Sequence, residues 1–232
     1  MSIKDVPPEV RALYTNLVAA LDAKDAKGRK VGDARYGVYC FYDFDDEPIY
    51  VGQTREKLRT RIRRHLTNQR TDAVAMFVLD PYEVHTIKMW PFWELEGAKL
   101  AEAKIKETMD RAEWTVYAQA VQASKFSAVL NEGFIAEKEP IKLPPAQAAT
   151  ITPKAWDERN KHPDIRISRR AQTMWALSKV AAERDVSMGL RRTLVVQAKR
   201  LLHLANERYE DLGGEAATPV PDEGESGEVD AE

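Results

Sequence analysis

Cysteine is nearly absent from this chain: Cys40 is the only one in 232 residues. A lone cysteine forms no internal disulfide and cannot build a cysteine-rich zinc site, and it suits a reducing, cytoplasmic setting. Long apolar runs are missing too. None approaches the roughly 18 residues a membrane span needs, so no membrane contact is expected. The opening residues MSIKDVPPEV show no basic stretch leading into an apolar one, so no secretory signal is read there. Net charge is also scarce, at −2, which speaks against a nucleic-acid partner only until the acids are located. Residues 213–232 hold seven of them (Glu215, Asp222, Glu223, Glu225, Glu228, Asp230, Glu232) and no base, so the remainder stands at +5. A basic body with an acidic tail is the asymmetry that accompanies nucleic-acid contact.

What is present is enough for one good-sized domain, or a core with an appendage. Apolar residues make up 44% and charged residues 31%, the balance of a soluble folded protein. Val10, Leu13, Tyr14, Leu17, Val18 and Leu21 recur at helical spacing and predict an amphipathic helix over 8–22, with Pro8 in its first turn. Tyr36–Tyr42 and Ile49–Val51 are rich in aromatic and β-branched residues and predict a hairpin across an acidic turn. A helix follows from about 56 to 68, with Gly52 before it read as a residue of unusual backbone conformation. Residues 72–80 fit either a short helix or a buried strand. Glu83–Met89 alternates as a third strand closed by Pro91. A helical tract runs from about 94 to 123 with a break near Asp110, and Gly133 is read as the stop that ends the compact part.

The most distinctive stretch is Gly37–His65. Its two short apolar runs, Gly37-Val38-Tyr39 and Tyr50-Val51-Gly52, precede a segment bearing Arg59, Arg61, Arg63, Arg64 and His65. The two tyrosines stand eleven residues apart, Gln53-Thr54 follows the second glycine, and Arg61 lies one helical turn before His65. In that order these motifs resemble the GIY-YIG nuclease family over roughly residues 36–133, with valine in place of isoleucine in both tripeptides.

The resemblance implies an α+β fold, a small three-stranded antiparallel sheet flanked by helices. It implies active-site roles for Tyr39 and Tyr50, a phosphate clamp in Arg61, and a part for His65. Guanidinium donors match phosphate oxygens in geometry and stay charged at any relevant pH. A phenol is only about 0.1% ionised at neutral pH, so a tyrosine acting as general base needs cations beside it. A metal-binding glutamate is expected on the helix after the third strand. Glu113 is assigned because Trp114–Ala118 behind it offers a buried setting, with Glu107 as the alternative. One carboxylate plus waters suffices for Mg²⁺ or Mn²⁺, which acts as Lewis acid and lowers the pKa of bound water. The later asparagine of the family falls on Asn131. The interval of eighteen residues from Glu113 and the length of helix over 94–110 both depart from the family's pattern.

Farther on, four prolines within 139–153 mark a linker, taken as 139–163. Ser168 and Ser187 are placed as N-caps of two helices, 169–184 and 188–209. Trp175, Leu177 and Val180 are expected to meet Leu190, Leu194, Ala198, Leu201 and Leu202 in a seam between them. Nine Lys and Arg residues against three acids over 164–200 predict contact with phosphates, with Arg169, Arg170, Arg191 and Arg192 as candidates beside Arg59, Arg63 and Arg64.

The division expected is therefore a supporting helix and loop (1–34), a catalytic core (35–138), the linker (139–163), a basic helical region (164–212) and a disordered acidic tail (213–232). The function implied is a metal-dependent endonuclease acting on double-stranded DNA, of restriction or phage-defence type, with a homodimer as one route to cutting both strands. A non-catalytic DNA-binding or interaction protein on the same scaffold is the alternative, and an RNA nuclease a more distant one.

Overall fold

The structure is a computed structural model that describes residues 7–66, 79–131 and 133–215. Its centre is a four-stranded antiparallel sheet. The hairpin partners are β1 (Gly37–Tyr42) and β2 (Pro48–Thr54). They are followed by β3 (Thr86–Pro91) and β4 (Gln147–Thr150), in the order β2-β1-β3-β4. The fourth strand corrects the expected three. It lies in the stretch read as a proline linker, where Ala148 and Ala149 give little strand signal, and it is recruited by the open edge of β3. Ile141 and Leu143 of the same stretch pack on the core, so the compact part continues past Gly133.

Helix α1 (Pro8–Asp22) forms as its periodicity predicts, with Pro8 in the first turn and Leu13, Leu17 and Leu21 buried. Helix α2 spans Leu58–Leu66. Most of the ambiguous segment 72–80 lies outside the described residues. Glu83 belongs to a 3-10 turn, so β3 starts later than expected and includes Pro91. The long helix α3 (Glu102–Ala123) starts later than the predicted tract and continues through Asp110 without a break. Asp110 is a poor helix former on propensity alone, but Met109 and Ala112 on either side are fully buried, and their packing overrides it.

After α4 (Lys154–Lys161), α5 runs Pro163–Glu183 and α6 Met188–Asp211. Ser187 caps α6, accepting the Leu190 N–H at 3.3 Å. Ser168 lies inside α5 instead of capping it, because His162 and Pro163 already start the helix. The seam forms in part: Leu177 and Leu190 are buried and Val180 and Leu194 pack beside them, while Trp175 and Leu202 are exposed.

Two apolar layers sandwich the sheet. Tyr39, Phe41 and Ile87 face α1, α2 and the C-terminal helices through Leu17, Ile62, Leu177 and Val196. Val38, Cys40, Val51 and Trp90 face α3 through Met109, Ala112 and Val116. The C-terminal helices are also clamped by charge. Asp43, in the hairpin turn and 1% exposed, meets Arg166, Arg170 and Arg200, all buried. Asp45 takes both ends of the Arg166 guanidinium at 2.9 and 2.6 Å, and Glu83 lies 3.4 Å from Arg170. A turn read from sequence as merely acidic is thus an anchor for helices more than a hundred residues away.

Candidate active site

The hairpin register pairs Tyr39 with Gly52 and Phe41 with Tyr50. Tyr39 and Tyr50 are therefore diagonal neighbours on one face of the sheet, their rings stacked at 6.4 Å. Tyr39 is fully buried and Tyr50 keeps partial access to solvent. Gly52 is explained by space, not by unusual backbone geometry. It lies within β2 at an ordinary φ, and a Cβ there would sit 2.5 Å from the Tyr39 hydroxyl. The missing side chain lets the tip of Tyr39 reach the edge strand. Gly37 works the same way at the other end of the pairing, where a Cβ would meet the Leu58 side chain at 2.7 Å. Helix α2 docks through that contact and brings Arg61 and His65 over the tyrosines.

His65 is buried at 5.0 Å from the Tyr50 ring and 5.8 Å from the Tyr39 ring, centroid to centroid. Arg61 lies beside Tyr39, close enough for its charge and its donors to act on the phenol. The Tyr39 Oη and Arg61 Nε are both buried without a hydrogen-bond partner among the described residues. Burial pushes the Tyr39 phenol well above the ordinary tyrosine range; Tyr50 and Glu113 add to the rise, and Arg61 opposes it. Buried polar atoms left without a partner are costly.

The carboxylates come from the other side of the edge strand. Gln53 points toward α3, and its side-chain amide donates to Asp110 at 2.7 Å and to Glu113 at 3.1 Å. Burial raises the Glu113 carboxyl, and the charge of Asp110 adds to the effect, against Gln53 and Arg61. Glu107 is exposed and paired with Lys104, whose hydrogen bond holds its carboxyl low. Asn131, buried, holds the outer edge of β2: it accepts from the Val51 N–H at 3.0 Å and donates to the Val51 carbonyl at 2.7 Å. Leu130 donates to the Ile49 carbonyl beside it.

The expected cations divide into two groups. Arg59 ties α2 to Asp22 and Asp33, and Arg64 pairs with Glu56. Arg170 is buried in the Asp43 cluster. Arg169 lies over the Tyr82 ring, donates to Asn160 and reaches Glu83. These four hold the fold together in this structure. Arg63 and Arg191 are exposed and form no ion pair among the described residues, while Arg192 donates to the Asn131 carbonyl at 3.3 Å. Arg61 and Gln53 open onto a cleft of about 730 Å³ lined by both signs of charge, Arg35, Arg55 and Lys106 with Glu56, Glu102 and Asp110, in which Arg55 pairs with Glu102 and Lys106 with Asp110. Arg35, Arg55, Lys106 and Asp110 were missed as site residues, because they come from a loop, a turn and a helix that only folding brings together.

Residues 35–115 match the family model of the GIY-YIG catalytic domain. The match takes in Tyr39, Tyr50, Arg61, His65 and Glu113, stops short of Asn131, and covers less than half of the chain. No curated protein and no solved structure matches the chain. A GIY-YIG domain implies nuclease-type chemistry with DNA as substrate, and members of the family generally use divalent metals. Among the described residues no three His, Cys, Asp or Glu side chains cluster around a metal position. The donor set is instead one half-buried carboxylate with a second held beside it through Gln53. That set of hard oxygens fits Mg²⁺, which keeps several of its waters. No helix of the described residues is long and apolar enough to cross a membrane.

Proposed function

We propose that this chain is a metal-dependent DNA endonuclease that hydrolyses phosphodiester bonds, of restriction or phage-defence type. One observation carries the reading. Tyr39, Tyr50, Arg61 and His65 meet Glu113 and Gln53 across the edge strand at Gly52, and Arg61 and Gln53 open onto a charged cleft.

In this reading Arg61 clamps the phosphate oxygens and offsets the charge that grows on them during attack. The DNA strand lies along the cleft with Arg35, Arg55 and Lys106 beside its neighbouring phosphates. Tyr50 is the hydroxyl that water can reach, and it accepts a hydrogen bond from the attacking molecule. Tyr39 stays protonated behind Tyr50, its buried ring backing the partly exposed one. His65 packs against both rings and fixes their orientation. Glu113 holds the metal with Gln53 and Asp110 at its back, and the ion supplies Lewis acidity and a more acidic bound water. Asn131 positions β2 and does not touch substrate.

Purified protein with Mg²⁺ or Mn²⁺ is expected to nick or linearise plasmid DNA. Arg61→Ala and Glu113→Ala should each lower the rate by about 10²-fold or more while DNA binding persists. Glu107→Ala should leave the rate unchanged. Persistence of cleavage in both the Arg61 and Glu113 variants would overturn the assignment, and labelled RNA duplexes in competition separate DNA from RNA cleavage.

A further inference from the structure

Helix α6 reaches the candidate site from outside the sheet. β2 is an edge strand, and a short segment after α3 takes up three backbone groups on its outer side. Leu130 donates its N–H to the Ile49 carbonyl at 2.7 Å, and the Asn131 side chain holds both the N–H and the carbonyl of Val51. Tyr50 stands between Ile49 and Val51, so the segment grips β2 on either side of it.

The side chains of this segment alternate as they do in a strand. Val129 joins the apolar layer against α3, and Leu130 joins the layer against the C-terminal helices. Both are buried. Residues 129–131 therefore clasp the sheet edge between its two layers.

The C-terminal helices hold the clasp in turn. Leu130 and Ile49 line a small space together with Thr173 of α5 and Gln197 and Arg200 of α6. Leu130 also shares one apolar cluster with Leu190 of α6 and Tyr39, and Tyr50 packs against that cluster. Arg192 closes the contact at the first turns of α6. It donates to the Asn131 carbonyl at 3.3 Å, while much of its side chain stays exposed. Sequence assigned Arg192 to phosphate; its partner in the fold is the residue that fixes β2.

We infer that α6 positions Tyr50, acting through Arg192 and Leu130 on the clasp and through the clasp on β2. Both residues lie beyond 35–115, the stretch that matches the GIY-YIG catalytic domain. This support is what the C-terminal region adds to the site. Arg192 and Leu130 are positioning residues and do not touch substrate. The inference rests on the nuclease reading for the role of Tyr50, but the placement of that ring is measurable without cleavage.

Arg192→Met removes the donors and keeps the stem. It is the decisive variant, because an exposed side chain is replaced without emptying the core, whereas Leu130→Ala opens a cavity. In the full chain it is expected to lower kcat for plasmid nicking about 10-fold, a fraction of what a 1 Å displacement of a reacting group costs. DNA affinity and its salt dependence should stay unchanged. The Val51 amide should exchange with solvent about 10-fold faster, and the Tyr50 ring signals should shift in NMR spectra. Arg192→Lys, which keeps a donor, should recover part of the rate. In an Asn131→Ala background the Arg192 replacement should add little, because both act through one path. Weaker DNA binding with a salt slope reduced by about one, at unchanged kcat, makes Arg192 a phosphate contact and overturns the inference. A Val51 amide that exchanges as in the wild type overturns it too, as do Tyr50 signals that stay in place. A wild-type chain that cuts no DNA with any divalent metal overturns the nuclease reading alone; the exchange rate and the ring signals still decide whether α6 positions Tyr50.

Discussion

Asn131 holds Val51 by both of its backbone groups, accepting from the N–H and donating to the carbonyl. β2 is an edge strand, so without Asn131 those two groups face outward unpaired. Val51 lies between Tyr50 and Gly52, and any shift there moves a ring of the candidate site. Asn131→Ala is expected to cost about 1–3 kcal/mol in stability, the penalty for leaving buried polar groups unsatisfied. Asn131→Asp should also destabilise, since its carboxylate cannot donate to the Val51 carbonyl. Urea unfolding measures the first effect. A fall in kcat larger than any change in KM would mark Asn131 as a residue that positions the site.

How much of this could be read from the chain varies with the range of the interaction. The hairpin, Tyr39, Tyr50, Arg61 and His65 were legible because their spacing and order are local. Glu113 was separable from Glu107 only weakly, through the apolar stretch after it; that Gln53 reaches across from β2 to Glu113 could not be read from the chain. The C-terminal arginines were misleading. Arg166, Arg170 and Arg200 belong to the run expected to contact phosphates, yet they answer acids more than eighty residues away in sequence. Strand β4 was hidden because Gln-Ala-Ala-Thr has almost no strand character of its own. Its register is set by β3, and propensity cannot show that.

Gly52 makes a steric prediction. Gly52→Ala would put a methyl group 2.5 Å from the Tyr39 hydroxyl and 3.1 Å from a Tyr50 ring carbon. The Tyr39 ring is fully buried and cannot simply swing away. Overpacking of this kind costs about 1–3 kcal/mol. A displacement of about 1 Å at a reacting group can lower the rate by about 10²-fold. Gly133→Ala, where no atom lies within 4 Å, is the control expected to change neither. Equal activity in the two variants would sink the claim that Gly52 is there to seat the tyrosines.

The raised carboxyl of Glu113 makes a pH prediction. Burial, and then the charge of Asp110, lifts it above its ordinary 4.5, so the folded state binds the proton more tightly than the unfolded chain does. That contribution to stability is present below the unfolded value and is lost as pH rises through the folded one. At neutral pH the ionised carboxylate is therefore a burden on the metal-free fold. Glu113→Gln is expected to raise Tm at pH 7 and to leave it nearly unchanged at pH 4. Added Mg²⁺ should raise Tm of the wild type at pH 7 and not that of Glu113→Gln. Cleavage should disappear on the acid side at a pH above the ordinary glutamate value. An acid limb at or below 4.5 would contradict the burial argument.

The anchor between the hairpin turn and the C-terminal helices gives the largest expected effect. Asp43 is almost completely buried and lies within ion-pair distance of Arg166, Arg170 and Arg200. Glu83 and Asp45 supply the other negative charges of the cluster. Asp43→Asn keeps the shape but removes the central charge, which leaves guanidiniums buried without their counter-ion. Breaking one side of such a buried group costs about 3–5 kcal/mol. The loss should appear as faster hydrogen exchange in α5 and α6 along with the β1–β2 turn, because the cluster joins all three. Replacing Lys179, which is exposed, pairs with Glu183 and lies over the exposed Trp175 ring, should change stability by no more than about 1 kcal/mol. If Asp43→Asn proved as mild as the Lys179 variant, the turn would not be what fastens the C-terminal helices to the sheet.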